Sequence, residues 1–283
     1  KYPNLYHTFI PDSARYISHK KLGITMGIKA SRHEWLVFTE PNCRPQSNQW
    51  LKQMARNFTP ATEIVLGYSN YEKVPGWLNK KITFDTLLNS MRYLGMALSG
   101  HPYMGTGRNL AYRKTLYYKQ KGFASHLNLQ RGEDDLFINE TAHAHNTRVE
   151  TGSDSLMRIA MPKYKKIWCE EKISYAATSR LFKGTARYIM GFETCSRLLF
   201  YVAIIATIVI SILLHQWTTL GIAILLWAAR FVMQLIVFRK TAKTLGERKF
   251  CALLPVFDFL QPIWNGVFKL QRKLRRKNEF MRK

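Results

Sequence analysis

Apolar positions divide the chain into a mixed N-terminal part and a C-terminal part nearly free of polar residues. From Leu198 to Leu214 seventeen residues run without a charge, about 26 Å as a helix and near the shortest length that crosses a bilayer. His215 and Gln216 break the run. Trp217 to Phe238 then gives a second stretch, about 33 Å as a helix, apolar except for Thr218, Thr219, Gln234 and Arg230. So short a break predicts reversal of the chain, hence an antiparallel transmembrane hairpin. A helical pair buried in a soluble core is the alternative, and it leaves almost no polar face for water. A third stretch, Phe250 to Leu270, is interrupted by Pro255, Asp258, Gln261 and Pro262, which predicts an interfacial or re-entrant helix, with a full span as the alternative. Arg230 lies mid-helix, where a charge is costly, so it pairs within the protein or marks a polar path.

The first 190 residues alternate between two periods. Lys20 to Ala30 reads as helix, Trp35 to Thr39 as a short buried strand ended by the turn Glu40-Pro41-Asn42, and Ser47 to Asn57 as helix. Glu63 to Tyr71 is β-branched and aromatic enough for one strand. Trp77 to Leu98 reads as a long helix closed by Ser99-Gly100. Alternation of this kind predicts an α/β layer structure. The expected division is an α/β domain over 1–190, a membrane hairpin over 191–249, and an interfacial segment with a basic tail over 250–283.

Charge sharpens the membrane reading. The formal net charge is +25, and eight of the 43 Lys and Arg lie in the last fifteen residues, opposed only by Glu279. A basic tail directly beyond apolar segments fits anionic lipid headgroups. Lys183, Arg187 and Arg197 precede the hairpin and Arg239, Lys240, Lys243, Arg248 and Lys249 follow it, while its tip has no Lys or Arg. By the positive-inside rule the domain is expected on the cytoplasmic side of a cell membrane. A nucleic-acid partner is not expected, because no helix-turn-helix or RNA-binding signature accompanies the charge. Cys43, Cys169, Cys195 and Cys251 have no metal or redox spacing and read as reduced thiols. The chain opens on Lys-Tyr-Pro with no initiator Met or signal pattern, so an N-terminally truncated fragment is expected.

Candidate chemistry gathers at three places. Gly132-Glu133-Asp134-Asp135 sets three carboxylates in a row, which raise one another's pKa in a partly closed site and suit one of them to general-base work. The bland alternative is a helix N-terminus, where acids are favoured by the dipole. Glu40 and Asn42 follow a strand, where ligands of α/β sheets collect, and offer oxygens to a hard divalent cation; a plain surface turn is the alternative. The run Tyr103 to Tyr112 contains Gly105 and Gly107, which let a ligand approach the backbone or simply make a turn. His143-Ala144-His145 does not share a metal geometry and reads as a solvated face.

In order, these pieces resemble membrane-bound family 2 glycosyltransferases of the GT-A type. His7-Thr8-Phe9-Ile10-Pro11, the helix with Lys20-Lys21 and Gly27 to Ala30, and Trp35 to Pro45 resemble the approach to that family's Asp-x-Asp motif, which here is Glu40-Pro41-Asn42. The Gly105 to Tyr112 run, with Asn109, resembles the segment lining the acceptor pocket, and Glu133-Asp134 resembles the pair whose Asp is the catalytic base. The Gln-x-x-Arg-Trp motif falls on Gly184 to Tyr188, keeping only Arg187 and an aromatic ring.

The resemblance implies a partial GT-A domain followed by a transmembrane hairpin. It implies inverting transfer of a sugar from a nucleotide-sugar donor to a lipid-linked or polysaccharide acceptor. Asp134 is then the general base, Glu133 orients it or the acceptor, Gly105, Gly107, Asn109 and Tyr188 meet the acceptor, and Arg187 adds positive charge at the diphosphate. Mg²⁺ or Mn²⁺ is implied at Glu40 and Asn42, at a site weakened because Glu is longer than Asp and Asn lacks the charge. The family's first strands, which hold base and ribose, are missing from the sequence. A non-catalytic relative serving as an anchor or partner subunit is the second reading.

Overall fold

The computed structural model describes residues 4–7, 9–10 and 18–275. Positions 8 and 11 of the first motif, and the tail from 276 onward, lie outside the described residues. The described chain is mixed α/β with two small sheets. In the first, β1 (Trp35–Phe38) pairs antiparallel with β5 (Leu110–Arg113), β5 antiparallel with β3 (Ile64–Gly67), and β3 parallel with β6 (Thr147–Glu150). In the second, β7 (Met157–Ile159) runs between β2 (Cys43–Pro45) and β4 (Ser69–Tyr71).

The β-branched and aliphatic side chains of β3 are all buried, as an interior strand requires. β1 departs from the buried strand expected over Trp35 to Thr39. It ends the sheet order, pairs only with β5, and buries only Leu36. Its other side chains are covered in part by rings: Trp35 stacks on Phe58 at 4.0 Å and Phe38 on Tyr112 at 4.4 Å.

The single strand expected over Glu63 to Tyr71 is two, β3 and β4, in different sheets. The cause is non-local. Asn109, 1 % exposed, donates from Nδ2 to the carbonyls of Tyr68 and Ser155 at 2.9 Å each, while its Oδ1 accepts from the Trp50 indole at 3.0 Å. Its amide lies so near Gly67 that a Cβ there would sit 2.3 Å from Asn109 Cγ. One side chain therefore ties the bend between the sheets to the short helix α2 (Trp50–Ala55).

Local signals set the first helices well. In α1 (His19–Ala30) the Ser18 hydroxyl accepts the Lys21 amide, a side-chain N-cap. The 22-residue α3 (Trp77–Leu98) ends as expected at Ser99, with Gly100 at φ 82°, the left-handed position glycine tolerates. The short α4 (Lys114–Lys119) and α5 (Asp135–Thr141) follow, then the 14-residue α6 (Lys165–Thr178).

Two helices, α7 (Ala186–Leu213) and α8 (Trp217–Thr244), have 28 residues each and are long and apolar enough to cross a membrane. They pack against each other and are joined by three residues, with His215 at φ 53°. Their large apolar side chains stay exposed, Leu199 at 68 %, Leu213 at 71 % and Met233 at 69 %, unlike those of a soluble core. The last helix, α9 (Leu254–Leu274), buries Leu254, Phe257, Asp258, Gln261 and Phe268, one face at helical spacing, and packs on α3, α6 and α7. Asp258 accepts from Tyr201 at 2.7 Å and Gln234 at 2.9 Å, and pairs with Arg230 and Arg197 at 3.2 Å each. Arg230 thus has a carboxylate partner within the protein.

Replacing Asn109 by Ala leaves the buried Ser155 carbonyl without its donor and removes the bonds to the Trp50 indole and to the Tyr68 carbonyl, which keeps only the Met157 amide, and should lower stability by about 2–4 kcal/mol. Chemical denaturation in detergent, followed by tryptophan emission, measures this. A change below about 0.5 kcal/mol, the scatter of ordinary surface substitutions, would remove Asn109 from its role in the fold.

Candidate active site

The register of β1 against β5 builds the first half of the site. Phe38 lies opposite Leu110, so the residues just after β1 and just before β5 emerge together, and Glu40 meets Arg108. Arg108 Nε donates to Glu40 Oε2 at 3.0 Å, and Arg108 Nη2 donates to Glu171 Oε1 of α6 at 2.5 Å. The first turn of α1 supplies Lys20, whose Nζ lies 3.0 Å from Glu40 Oε1 and 2.7 Å from Glu133 Oε1. The start of α5 supplies Asp134. Its Oδ2 accepts from the Gly107 amide at 2.9 Å and the Tyr175 hydroxyl at 3.3 Å, and its Oδ1 accepts from the Asp135 amide at 2.8 Å.

Lys20, Glu40, Gly107, Glu133 and Asp134 line one pocket of about 110 Å³, walled by Phe38 and Tyr112 and bordered by the exposed Thr39 and Pro41. That is room for a few waters, a phosphate group or the edge of a sugar. The Glu40, Glu133 and Asp134 carboxylates singled out in the sequence therefore share a cavity.

Burial drives the electrostatics. Desolvation, and then the neighbouring Glu133, raise the Asp134 carboxyl above the usual carboxylate range. Asp135 is buried too, and desolvation followed by the charge of Asp134 pushes it up to about 8, although Thr178 Oγ1 donates to it. Glu40 goes the other way: burial disfavours its charge, but Arg108 and Lys20 together hold it down at about 2. Lys21 is not available to the pocket. Its ammonium donates to the carbonyls of His126 and Leu129 at 2.6 and 2.9 Å, and burial lowers it to about 8.

Other expected site residues lie elsewhere. Gly105 is closely packed, since a Cβ would meet the Leu66, Ile138 and Leu110 side chains at 3.0–3.4 Å, and it does not line the pocket. Asn109 spends its polar atoms on the fold, as described. Arg187 donates to the Arg180 carbonyl at 3.0 Å, and Tyr188 is 76 % exposed in the first turn of α7; neither lines the pocket. The polar side chains that reach the site come instead from α6. Glu171, Tyr175 and Thr178 stand at i, i+4 and i+7, one face of the helix, and touch Arg108, Asp134 and Asp135. That stripe was visible in the sequence, but a polar helix face usually meets water.

The donor set does not fit the divalent cation implied by the resemblance. Both Glu40 oxygens are taken by cationic side chains. Asn42 is exposed and outside the pocket; its carbonyl accepts the Ala160 amide at 2.7 Å and its side chain turns toward Cys43. Among the described residues no three His, Cys, Asp or Glu converge as metal ligands.

No protein-family profile and no curated protein sequence matches the chain. Among solved structures, its chain path is similar to that of the mannosyltransferase PcManGT from Pyrobaculum calidifontis, determined in complex with GDP-Man and Mn²⁺. The TM-score is 0.47 and the identity 14 %, over 89 % of this chain and 67 % of that one. At that distance the likeness defines neither donor nor metal.

The raised Asp135 pKa carries a stability consequence. Between the usual Asp value, about 4, and about 8, the folded chain keeps this proton while the unfolded chain loses it, so stability falls as pH rises through that window. Asp135→Asn keeps the shape without the ionisation: its oxygen accepts the Leu136 amide as Asp135 Oδ1 does, and its amide donates to Thr178 Oγ1. Its thermal unfolding temperature should therefore fall less than the wild-type value between about pH 5 and about pH 8. Parallel curves would mean that Asp135 is ionised in the folded chain.

Proposed function

We propose that this chain is a membrane-anchored glycosyltransferase with Asp134 as its general base. The observation that carries the reading is the Asp134 carboxylate: buried, raised in pKa by desolvation and Glu133, oriented by the Gly107 amide and Tyr175 hydroxyl, and lining the same pocket as Glu40 and Lys20. A base so placed is more basic than an ordinary carboxylate.

In the proposed step, Asp134 takes the proton of an acceptor hydroxyl. The hydroxyl oxygen bonds to the anomeric carbon of the donor sugar, and the bond from that carbon to the nucleoside diphosphate breaks with inversion, the electron pair leaving on the phosphate oxygen. Gly107 and Tyr175 fix the base, Glu133 keeps it basic, and Phe38 and Tyr112 give the pocket an apolar wall. α7 and α8 form the membrane hairpin, with the basic residues at both its outer ends on the cytoplasmic side. α9 lies at the interface: its inner face packs on α3, α6 and α7, while Val256, Ile263, Val267 and Leu270 are exposed on its other side. The acceptor proposed is lipid-linked or a growing polysaccharide, delivered at that surface.

A non-catalytic relative is the second reading, favoured by the engagement of Glu40 with two cationic side chains and the distance of Asn42 from the pocket. Sugar transfer and donor hydrolysis by the chain in lipid nanodiscs separate the two. Asp134→Asn should cost about 10²–10⁴-fold, the usual worth of a positioned base; equal rates for the two proteins would exclude Asp134 from that role.

The pH profile gives a second check. The base must be unprotonated, so the acid limb of kcat/KM should lie above the ordinary Asp value of about 4. Glu133→Gln removes the like charge and should move that limb to lower pH. An unmoved limb would mean that the titrating group is not Asp134.

A further inference from the structure

The donor set at Glu40 conflicts with a divalent cation, and the conflict itself is informative. Lys20 bridges Glu40 Oε1 and Glu133 Oε1, at 3.0 and 2.7 Å, while its side chain remains 41 % exposed in the pocket. An ammonium has three N–H donors. Two are used on these carboxylates, and the third has no partner among the described residues. Arg108, only 9 % exposed, closes the other side of Glu40 and is fixed from behind by Glu171. A metal ion entering at Glu40 must displace a guanidinium or an ammonium, and it finds no Asn42 oxygen in the pocket in exchange.

We infer that Lys20, held between Glu40 and Glu133, is the phosphate-binding cation of this pocket and takes the place at Glu40 of the divalent ion the resemblance implies, so that nucleoside diphosphate binds without divalent metal. The identity of the ligand rests on the sugar-transfer reading above. Glu40 is then a positioning residue: with Arg108 offsetting its charge, it aims Lys20 across the pocket toward Asp134. The spare N–H of Lys20 donates to a phosphate oxygen of the leaving group, a charge-assisted hydrogen bond in a partly desolvated site.

Calorimetric titration of the chain in nanodiscs with inorganic pyrophosphate, and with ADP, CDP, GDP and UDP, tests this in EDTA and again with Mg²⁺ or Mn²⁺. The expected result is binding of pyrophosphate and at least one nucleotide that EDTA does not weaken. Lys20→Gln should weaken that binding about tenfold or more, the worth of one charge-assisted hydrogen bond, and Lys20→Arg should restore most of it. Binding that appears only with the metal ion overturns the inference, as does binding unchanged in Lys20→Gln, and either leaves the sugar-transfer reading standing. If none of these diphosphates binds under any condition, the transfer reading fails and the inference with it. The comparison with EDTA uses the unaltered chain, so it does not depend on any variant folding.

Discussion

Three consecutive carboxylates, Glu133, Asp134 and Asp135, are each at most 6 % exposed, and a buried carboxylate persists only if it is paired, given donors, or protonated. Each of the three takes a different route. Glu133 is paired with the Lys20 ammonium, Asp134 receives two amides and a hydroxyl, and Asp135 keeps its proton to about pH 8 beside Thr178. Those requirements draw α1, the loop before β5 and α6 onto the start of α5. The pocket is the space left where they converge, and it is chemically uneven because the three acids were neutralised unequally.

The second constraint is register. Pairing Phe38 with Leu110 sets Glu40 against Arg108, and a slip of one residue would turn every side chain of β1 to the opposite face. Arg108 then reaches Glu171, and α6 carries Lys172, whose ammonium lies 2.7 Å from Asp85 of α3. The same helix packs against α9, which holds Asp258 among Tyr201, Arg230 and Gln234 of the long apolar helices. The pocket and those helices are thus joined through α6 and α9 by packed and hydrogen-bonded side chains.

How much of this the sequence disclosed depends on how local each cause was. The extent of α3 was readable because its terminal Ser99-Gly100 acts within one turn, and that of α1 to within a residue, although its Ser18 cap was seen only in the structure. The two apolar helices were equally plain, although α7 starts at Ala186, well before its uncharged stretch. The split of the 63–71 segment was not readable, because the clasp that bends it comes from Asn109, some forty residues on. The acidic run pointed to Asp134, but assigning partners from the motif at 184–188 looked one helix too late. Arg187 and Tyr188 face outward, and the polar stripe of α6 that touches Arg108, Asp134 and Asp135 looks like any solvated helix face until α5 is packed on it. Glu40 was singled out as an oxygen ligand for a metal; that two cationic side chains from separate elements would meet it was beyond any single-sequence pattern.

The account stands on Asp134 and the Lys20–Glu40 pair facing each other across one cavity that accepts a diphosphate. An experimental structure of the chain in a nanodisc, determined with pyrophosphate or a bound nucleoside diphosphate in EDTA, tests that directly. It should show a phosphate oxygen within hydrogen-bonding distance of Lys20 Nζ, on the side of the pocket facing the Asp134 carboxylate. A diphosphate seated elsewhere, or Asp134 and Glu40 on separate surfaces, would contradict it.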